Sequence, residues 1–370
     1  MRKTLTLPIY LFVFCLLLSL PAYALSLKPG DSIPLKEKDR VLGNMSGSIM
    51  VYGRPNITVY NSRLKAVFSK KVKNNIKPVF SDNGKSFALV TYHDNSPRTL
   101  RATKFANYDN RGKFKWHLPK PDATTFEFAD NSYIFGIEGV AGISPTHIHV
   151  YDEFGDLLNV VTVENYRRVI KPQGGYKFVI DKGVDGLEVF DSSGTSLATL
   201  PAADKCKIDK DDRYIATFTN GIFRMFQDER VVQKVRCTLS KIKDFEIDVE
   251  RNILILLGEK KVEVYNLISG RKRWEYDVKD QKESYTSLDL SDNSDFFVCG
   301  IDVNLGSEVI KANRHVEGYI CLFRVNGQDM TRQRIAYKNW GVGLPKVHFS
   351  ESGASIYVQT KDSITNFRIR

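Results

Sequence analysis

One pattern returns along most of this chain and limits its folding more than any other feature. Val79-Phe80-Ser81-Asp82-Asn83-Gly84-Lys85-Ser86-Phe87-Ala88-Leu89-Val90 is an apolar pair, a polar turn and an apolar run. The same form starts at Val41-Leu42, Phe128, Ile208, Ile247, Leu290 and Phe349, with a weaker copy at Ile170. Asp, Asn, Ser and Gly between apolar runs are hairpin-turn residues, so each copy reads as two short strands. A second signature follows at a variable distance: a strand ending in Tyr or Phe, a polar turn that often holds Gly, and another strand. Val150-Tyr151-Asp152-Glu153-Phe154-Gly155 and Val189-Phe190-Asp191-Ser192-Ser193-Gly194 are examples.

Each unit therefore has four strands. Anchored on Leu42, Phe80, Phe128, Ile170, Ile208, Ile247, Leu290 and Phe349, successive units are 38, 48, 42, 38, 39, 43 and 59 residues apart. Four strands per ~40–50 residues is the period of a propeller blade. β-branched and aromatic runs, with no long 3.6-residue face, exclude helical repeats. A length of 370 residues is large for one conventional core, but repeats pack only on their neighbours and escape that limit. The last unit stops after Ile364–Ile369 with three strands, whereas Ser32-Ile33-Pro34-Leu35-Lys36 is an extra extended segment before the first. The expectation is an all-β, eight-bladed β-propeller, closed by an N-terminal strand that completes the last blade. Pro34 suits an edge strand. Seven blades remain if the copy at Ile170 is miscounted, and an open β-solenoid is the third option.

Two turns lead to tryptophan: Tyr108-Asp109-Asn110-Arg111-Gly112-Lys113-Phe114-Lys115-Trp116 and Ser269-Gly270-Arg271-Lys272-Arg273-Trp274. These resemble the outer-strand tryptophan motif of quinoprotein blades, and the chain from about residue 32 onward looks like the WD40/quinoprotein-like propeller superfamily. The resemblance implies architecture more than activity, because propellers host enzymes, ligand binders and scaffolds. Its quinoprotein branch implies a dehydrogenase using pyrroloquinoline quinone and calcium. No two cysteines are adjacent here, so that family's cysteine pair is absent, and no cofactor is expected.

The first residues read as an address. Arg2 and Lys3 precede an apolar run from Ile9 to Leu20, and Ala22-Tyr23-Ala24 is a small-x-small cleavage site. This is the signal-peptide arrangement, and the run is shorter than the ~20 residues a spanning helix needs. Residues 1–24 are taken as a leader and 25–370 as a single propeller domain that is exported, periplasmic or secreted, and without a transmembrane segment. Cys206, Cys237, Cys299 and Cys321 remain after cleavage. Export permits disulfides without choosing among three connectivities. Buried thiols and one disulfide stand level, and Cys299 with Cys321 is the better pair because their strands are expected to be neighbours.

Catalytic signatures are missing. There is no G-x-S-x-G elbow and no phosphate-cradling glycine loop between strand and helix. His147 and His149 share one strand face, but Thr58, Glu188, Arg224 and Glu263 occupy the corresponding slot elsewhere, so a generally polar position explains His149. Acidic turns such as Asp209–Asp212 and Ser291–Asp295 lack the EF-hand spacing and read as turn residues. A channel-centred enzyme needs convergent ionisable groups, and no ordered set of them is visible.

Charge distribution is the sharpest functional signal. Residues 63–120 carry fourteen Lys/Arg against three acidic residues, an excess equal to the +11 of the whole chain. A one-sided basic sector attracts anionic partners in a salt-sensitive way, although lysines also protect outer strands. The longer connections, His93–Leu100, Glu138–Thr146 and Asp302–Glu317, fall between second and third strands and so share one face; Trp340 lies in a connector on that face. The expected function is a monomeric, non-catalytic, exported propeller that binds a protein or an anionic envelope polymer, with nucleic acid not expected. The candidate contact residues are Lys70, Lys71, Lys73, His93, Arg98, Arg101, Arg314, His315 and Trp340. The alternative is a propeller enzyme, a hydrolase, lyase or quinoprotein-like protein, with its site at the central channel.

Overall fold

Every repeat forms one four-stranded antiparallel sheet, and eight such sheets stand in a ring. The computed structural model describes residues 25–370 except 44–46, 54, 82, 94–100, 130–132, 141–142, 172–176, 304–315, 328 and 338–342; the leader assigned to residues 1–24 lies outside the described residues. Blade one runs through Arg40–Leu42, Ile49–Gly53, Asn56–Tyr60 and Ala66–Lys71. Blades two to seven occupy 76–119, 125–163, 168–200, 205–236, 244–277 and 283–337 in the same up-and-down order. All eight anchor residues fall on first strands, including Ile170 on Arg168–Ile170, so the weak fourth copy is a full blade. The one helical piece among the described residues is a 3₁₀ turn, Gly183–Asp185, and no helix there is long and apolar enough to cross a membrane.

Blade eight is composite. Lys346–Phe349, Ser355–Gln359 and Ser363–Ile369 are joined by Leu27–Pro34 as the outermost strand. Ile33 lies opposite Ile364 and Leu27 opposite Ile369. The closing strand starts earlier than Ser32, because a register shift between Pro29 and Ser32 absorbs Gly30 and Asp31 without ending the pairing. Leu27 then buries itself against blades seven and eight with Leu322 and Phe367.

The core is divided among the seams. Eight apolar clusters each join two successive blades, and one of them, Ile33, Ile364 and Tyr357 with Ile49 and Val51, joins blade eight to blade one. The ring is therefore closed by packing as well as by hydrogen bonds. A middle strand is covered on both faces, which is why Ile253–Leu257 is buried at every position. Outer strands alternate instead, as in Lys272–Asp277.

The glycines in the turns before the outer strands of blades three and seven have a packing reason. Gly327 has φ +79°, and an added Cβ would lie 2.8 Å from Trp274 of the preceding blade. Gly155 receives Trp116 in the same way, with φ +94° and a clash at 2.7 Å. The two indole N–H groups donate to Val325 O, at 2.8 Å, and Glu153 O. Each tryptophan thus laps over the next blade's turn, which accounts for the motif that resembled quinoprotein blades.

Candidate functional site

First strands of neighbouring blades touch one another, as in blades six and seven or seven and eight, so they line the axis and fourth strands form the rim. Chain direction then sorts the connections. Turns after first and third strands share one face; connections after second and fourth strands share the other, the loop face. Between Glu138 and Thr146 the expected long insertion is corrected. The second strand of blade three continues to Val140 and the third starts at Ile143, so the segment is paired strand. Ile137 and Ile148 are buried opposite each other and carry the hairpin outward.

All described basic residues between 63 and 120 are exposed. Lys70 and Lys71 end the rim strand of blade one, Lys73 follows in the connector and Lys77 opens blade two. Arg101, Lys104 and Lys120 reach the same loop face from blade two. His93 ends its second strand and is exposed. Thus Lys70, Lys71, Lys73, His93 and Arg101 share one face, while Arg98, Arg314, His315 and Trp340 lie outside the described residues. Arg101 pairs with Glu138 at 2.9 Å. Lys70 and Lys77 stand over the Tyr108 and Tyr92 rings at 5.7 and 4.8 Å, contacts that leave their charge available.

A second charged group lies at the axis, where no ordered set was expected from the sequence. Lys207 of blade five reaches Asp244 and Glu246 of blade six at 2.9 and 2.7 Å. In blade seven, Asp289 accepts the Phe349 N–H of blade eight at 2.6 Å and lies 3.9 Å from His348 Nδ1. Glu246, Asp289 and His348 sit deep in the ring yet keep 21%, 25% and 27% of their side-chain surface open, because they face the channel. Burial, reinforced by the Glu246 carboxylate, raises Asp289 to about 8. Burial, with Lys346 nearby, lowers His348 to about 4. Burial also raises Glu246. It opposes the charge on Lys207, but the two carboxylates outweigh it and hold that group above its ordinary value.

This corrects the expectation of no convergent ionisable set. The signal was available: Lys207, Glu246, Asp289 and His348 each stand one residue before their anchor, in blades five to eight. Blades one, two and four have Val41, Val79 and Val169 there. The arrangement ties neighbouring blades together at two seams, through Lys207 with Asp244 and Glu246 and through the Phe349 N–H on Asp289.

The other candidates resolve locally. His147 Nδ1 is 3.0 Å from Thr162 Oγ1, and His149 Nε2 is 3.4 Å from Glu138. The polar slot of His149 finds neighbours in other blades too: Glu188 accepts from Lys182, and Glu263 accepts from Tyr265. Asp209 Oδ1 accepts the Tyr214 N–H, and Ser291 Oγ donates to Phe296 O, so these turns use their polar side chains on their own backbone. Among the described residues, no three His, Cys, Asp or Glu side chains are placed to hold a metal ion. Cys299 and Cys321 lie directly opposite each other on neighbouring strands as buried thiols, and Cys206 and Cys237 are also free.

Comparison with solved structures gives the same architecture. BamB from Moraxella catarrhalis superposes with a TM-score of 0.57 and 15% identity, over 93% of this chain and all of that one. The fold is that of WD40 and BamB-type propellers. The C-terminal WD40 domain of Sif2 gives 0.59 at 9% identity, over 94% of this chain and all of that one. The Dos1 propeller gives 0.58 at 11% identity, over 92% and 95%. No family model and no curated protein sequence matches. At these identities the likeness is one of fold.

Proposed function

We propose that this chain is an exported, non-catalytic propeller that binds a macromolecular partner of the cell envelope, an acidic protein or an anionic polymer, on the loop face of blades one and two. The observation that carries this reading is the row Lys70, Lys71, Lys73, Lys77, Arg101, Lys104 and Lys120. These residues are exposed at one face, and among the described residues only Arg101 of them is in an ion pair. Such a cluster raises encounter rates with anions and is screened by salt. His93 borders the row and Arg98 falls between its members in sequence, while Arg314, His315 and Trp340 are taken as further contacts from the connections after the second and fourth strands of blade seven. The arginines and Trp340 are the residue types that anchor interfaces. The leader-like residues 1–24 support export.

The test is capture from envelope extract at low and high salt, using wild type and the triple variant Lys70→Glu, Lys71→Glu, Lys73→Glu. Binding should occur at low salt, weaken at high salt and be lost in the variant. A complex indifferent to both changes would assign the lysines to solubility alone. N-terminal sequencing of the mature protein should begin at Leu25.

A further inference from the structure

A cleft of about 430 Å³ opens on the turn face, away from the row of lysines, where turns of blades eight, one and two meet. It has the volume of a small-ligand site. Among the described residues Val67 is the one apolar side chain of its lining, which otherwise consists of polar side chains and two glycines, and no aromatic ring borders it. A nucleobase would find no stacking surface there.

The wall is rich in donors. Lys85 and Arg111 bring two exposed cations from blade two. Asn61 Oδ1 already accepts the N–H groups of Arg63 and Lys65, so its NH₂ end is what it can offer a ligand. Asn110 donates from Nδ2 to Ser48 Oγ at 3.2 Å and keeps its side-chain oxygen as an acceptor. Glu351 supplies an acceptor-only carboxylate from blade eight. The frame is fixed by backbone bonds, including Asn110 N–H to Lys85 O at 3.0 Å. Gly84, with φ +68°, packs against Ser48 so closely that a Cβ would lie 2.5 Å from its backbone.

Two cations ask for an oxyanion. One carboxylate and the Asn110 oxygen ask for hydroxyl donors and disfavour a ligand that is anionic throughout. We infer that this cleft binds a small hydroxyl-rich anion, an acidic sugar bearing a carboxylate or a phosphate, with Lys85 and Arg111 holding the charged group and Glu351 accepting from hydroxyls. The site is separate from the partner face and does not depend on it.

The experiment titrates the mature protein with glucuronate, glucose 6-phosphate, glucose and inorganic phosphate, read by calorimetry and by ¹⁵N chemical shifts. Glucuronate or glucose 6-phosphate should saturate with shifts at Asn61, Lys85 and Arg111, and the stronger of the two identifies the anionic group. Glucose should bind at least tenfold more weakly. Lys85→Ala with Arg111→Ala should cost at least tenfold, whereas the Lys70/Lys71/Lys73 charge reversal should leave the affinity unchanged. Both substituted cations are exposed, so the double variant should fold, and its circular dichroism checks this. Failure of both acidic sugars to saturate, undiminished binding in the double variant, or inorganic phosphate binding as tightly as glucose 6-phosphate would overturn the assignment.

Discussion

The indole N–H of Trp274 donates to the carbonyl oxygen of Val325 at 2.8 Å, and this bond crosses from blade six to blade seven. The ring also stacks near Phe297 and Phe323, with centroids 5.6 and 5.9 Å away. Trp274→Phe keeps an aromatic but loses the bond, and should cost about 1 kcal/mol. Gly327→Ala forces a side chain into positive φ and against the indole, and should cost ~1–3 kcal/mol. Because both changes act at one contact, the double variant should cost less than the sum. Urea denaturation measures all three, and full additivity would show that the two residues are not coupled.

The axial charges make stability depend on pH. Asp289 is raised to about 8, so the folded state keeps a proton that an unfolded Asp releases near pH 4. Stability should therefore fall as pH rises through that window, with the loss complete above about pH 8. His348 is lowered to about 4, so the folded state resists a proton that the unfolded chain takes up below about pH 6.5. Its contribution rises with pH between those values and opposes that of Asp289. From about pH 6.5 to 8 the His348 contribution no longer changes, and Asp289→Asn should reduce the slope that remains there. A variant with the wild-type slope would assign the dependence to other groups.

Buried thiols should be silent in the native protein. Burial raises Cys321 to about 12 and holds Cys299 well above the ordinary thiol value, and both are fully covered. Thiolate is the reactive form. At neutral pH, iodoacetamide should leave these two unmodified, modify the partly exposed Cys206 and Cys237 slowly, and reach all four after denaturation without reductant. Two thiols missing after denaturation would mean that Cys299 and Cys321 are joined in the natural protein.

Tyr285 is fully buried and its hydroxyl finds no partner among the described residues. An unsatisfied buried hydroxyl costs ~1–3 kcal/mol. Tyr285→Phe keeps the ring in its seam and should raise stability by about 1 kcal/mol. A marked loss in thermal unfolding would show that the hydroxyl is satisfied.

What could be read beforehand follows from distance along the chain. The anchors Phe80 and Leu290 were legible because an apolar pair, its turn and its answering run lie within a dozen residues. The closing strand at Ile33 was legible as a surplus matched to a deficit at Ile369. Its start at Leu27 was hidden, since Lys28-Pro29-Gly30-Asp31 has turn composition and only the partner strand keeps it extended. The hairpin around Glu138 read as a loop because Gly139, Gly142 and Pro145 are turn residues. Lys207 and Asp289 are ordinary residues on ordinary strands. They become one group only when the ring brings together positions two repeats apart, and the cleft around Lys85 and Arg111 is likewise assembled from turns of three blades.

The pairing of Leu27 with Ile369 has a mechanical side. The two strands run antiparallel with the outward-leading ends together, and Ser26 and Arg370 exchange both backbone bonds at that edge. A pull applied there loads the rungs one after another, as in a zipper, so resistance at any moment is that of a single rung. Tension should part this strand pair long before it disturbs the eight seams between blades.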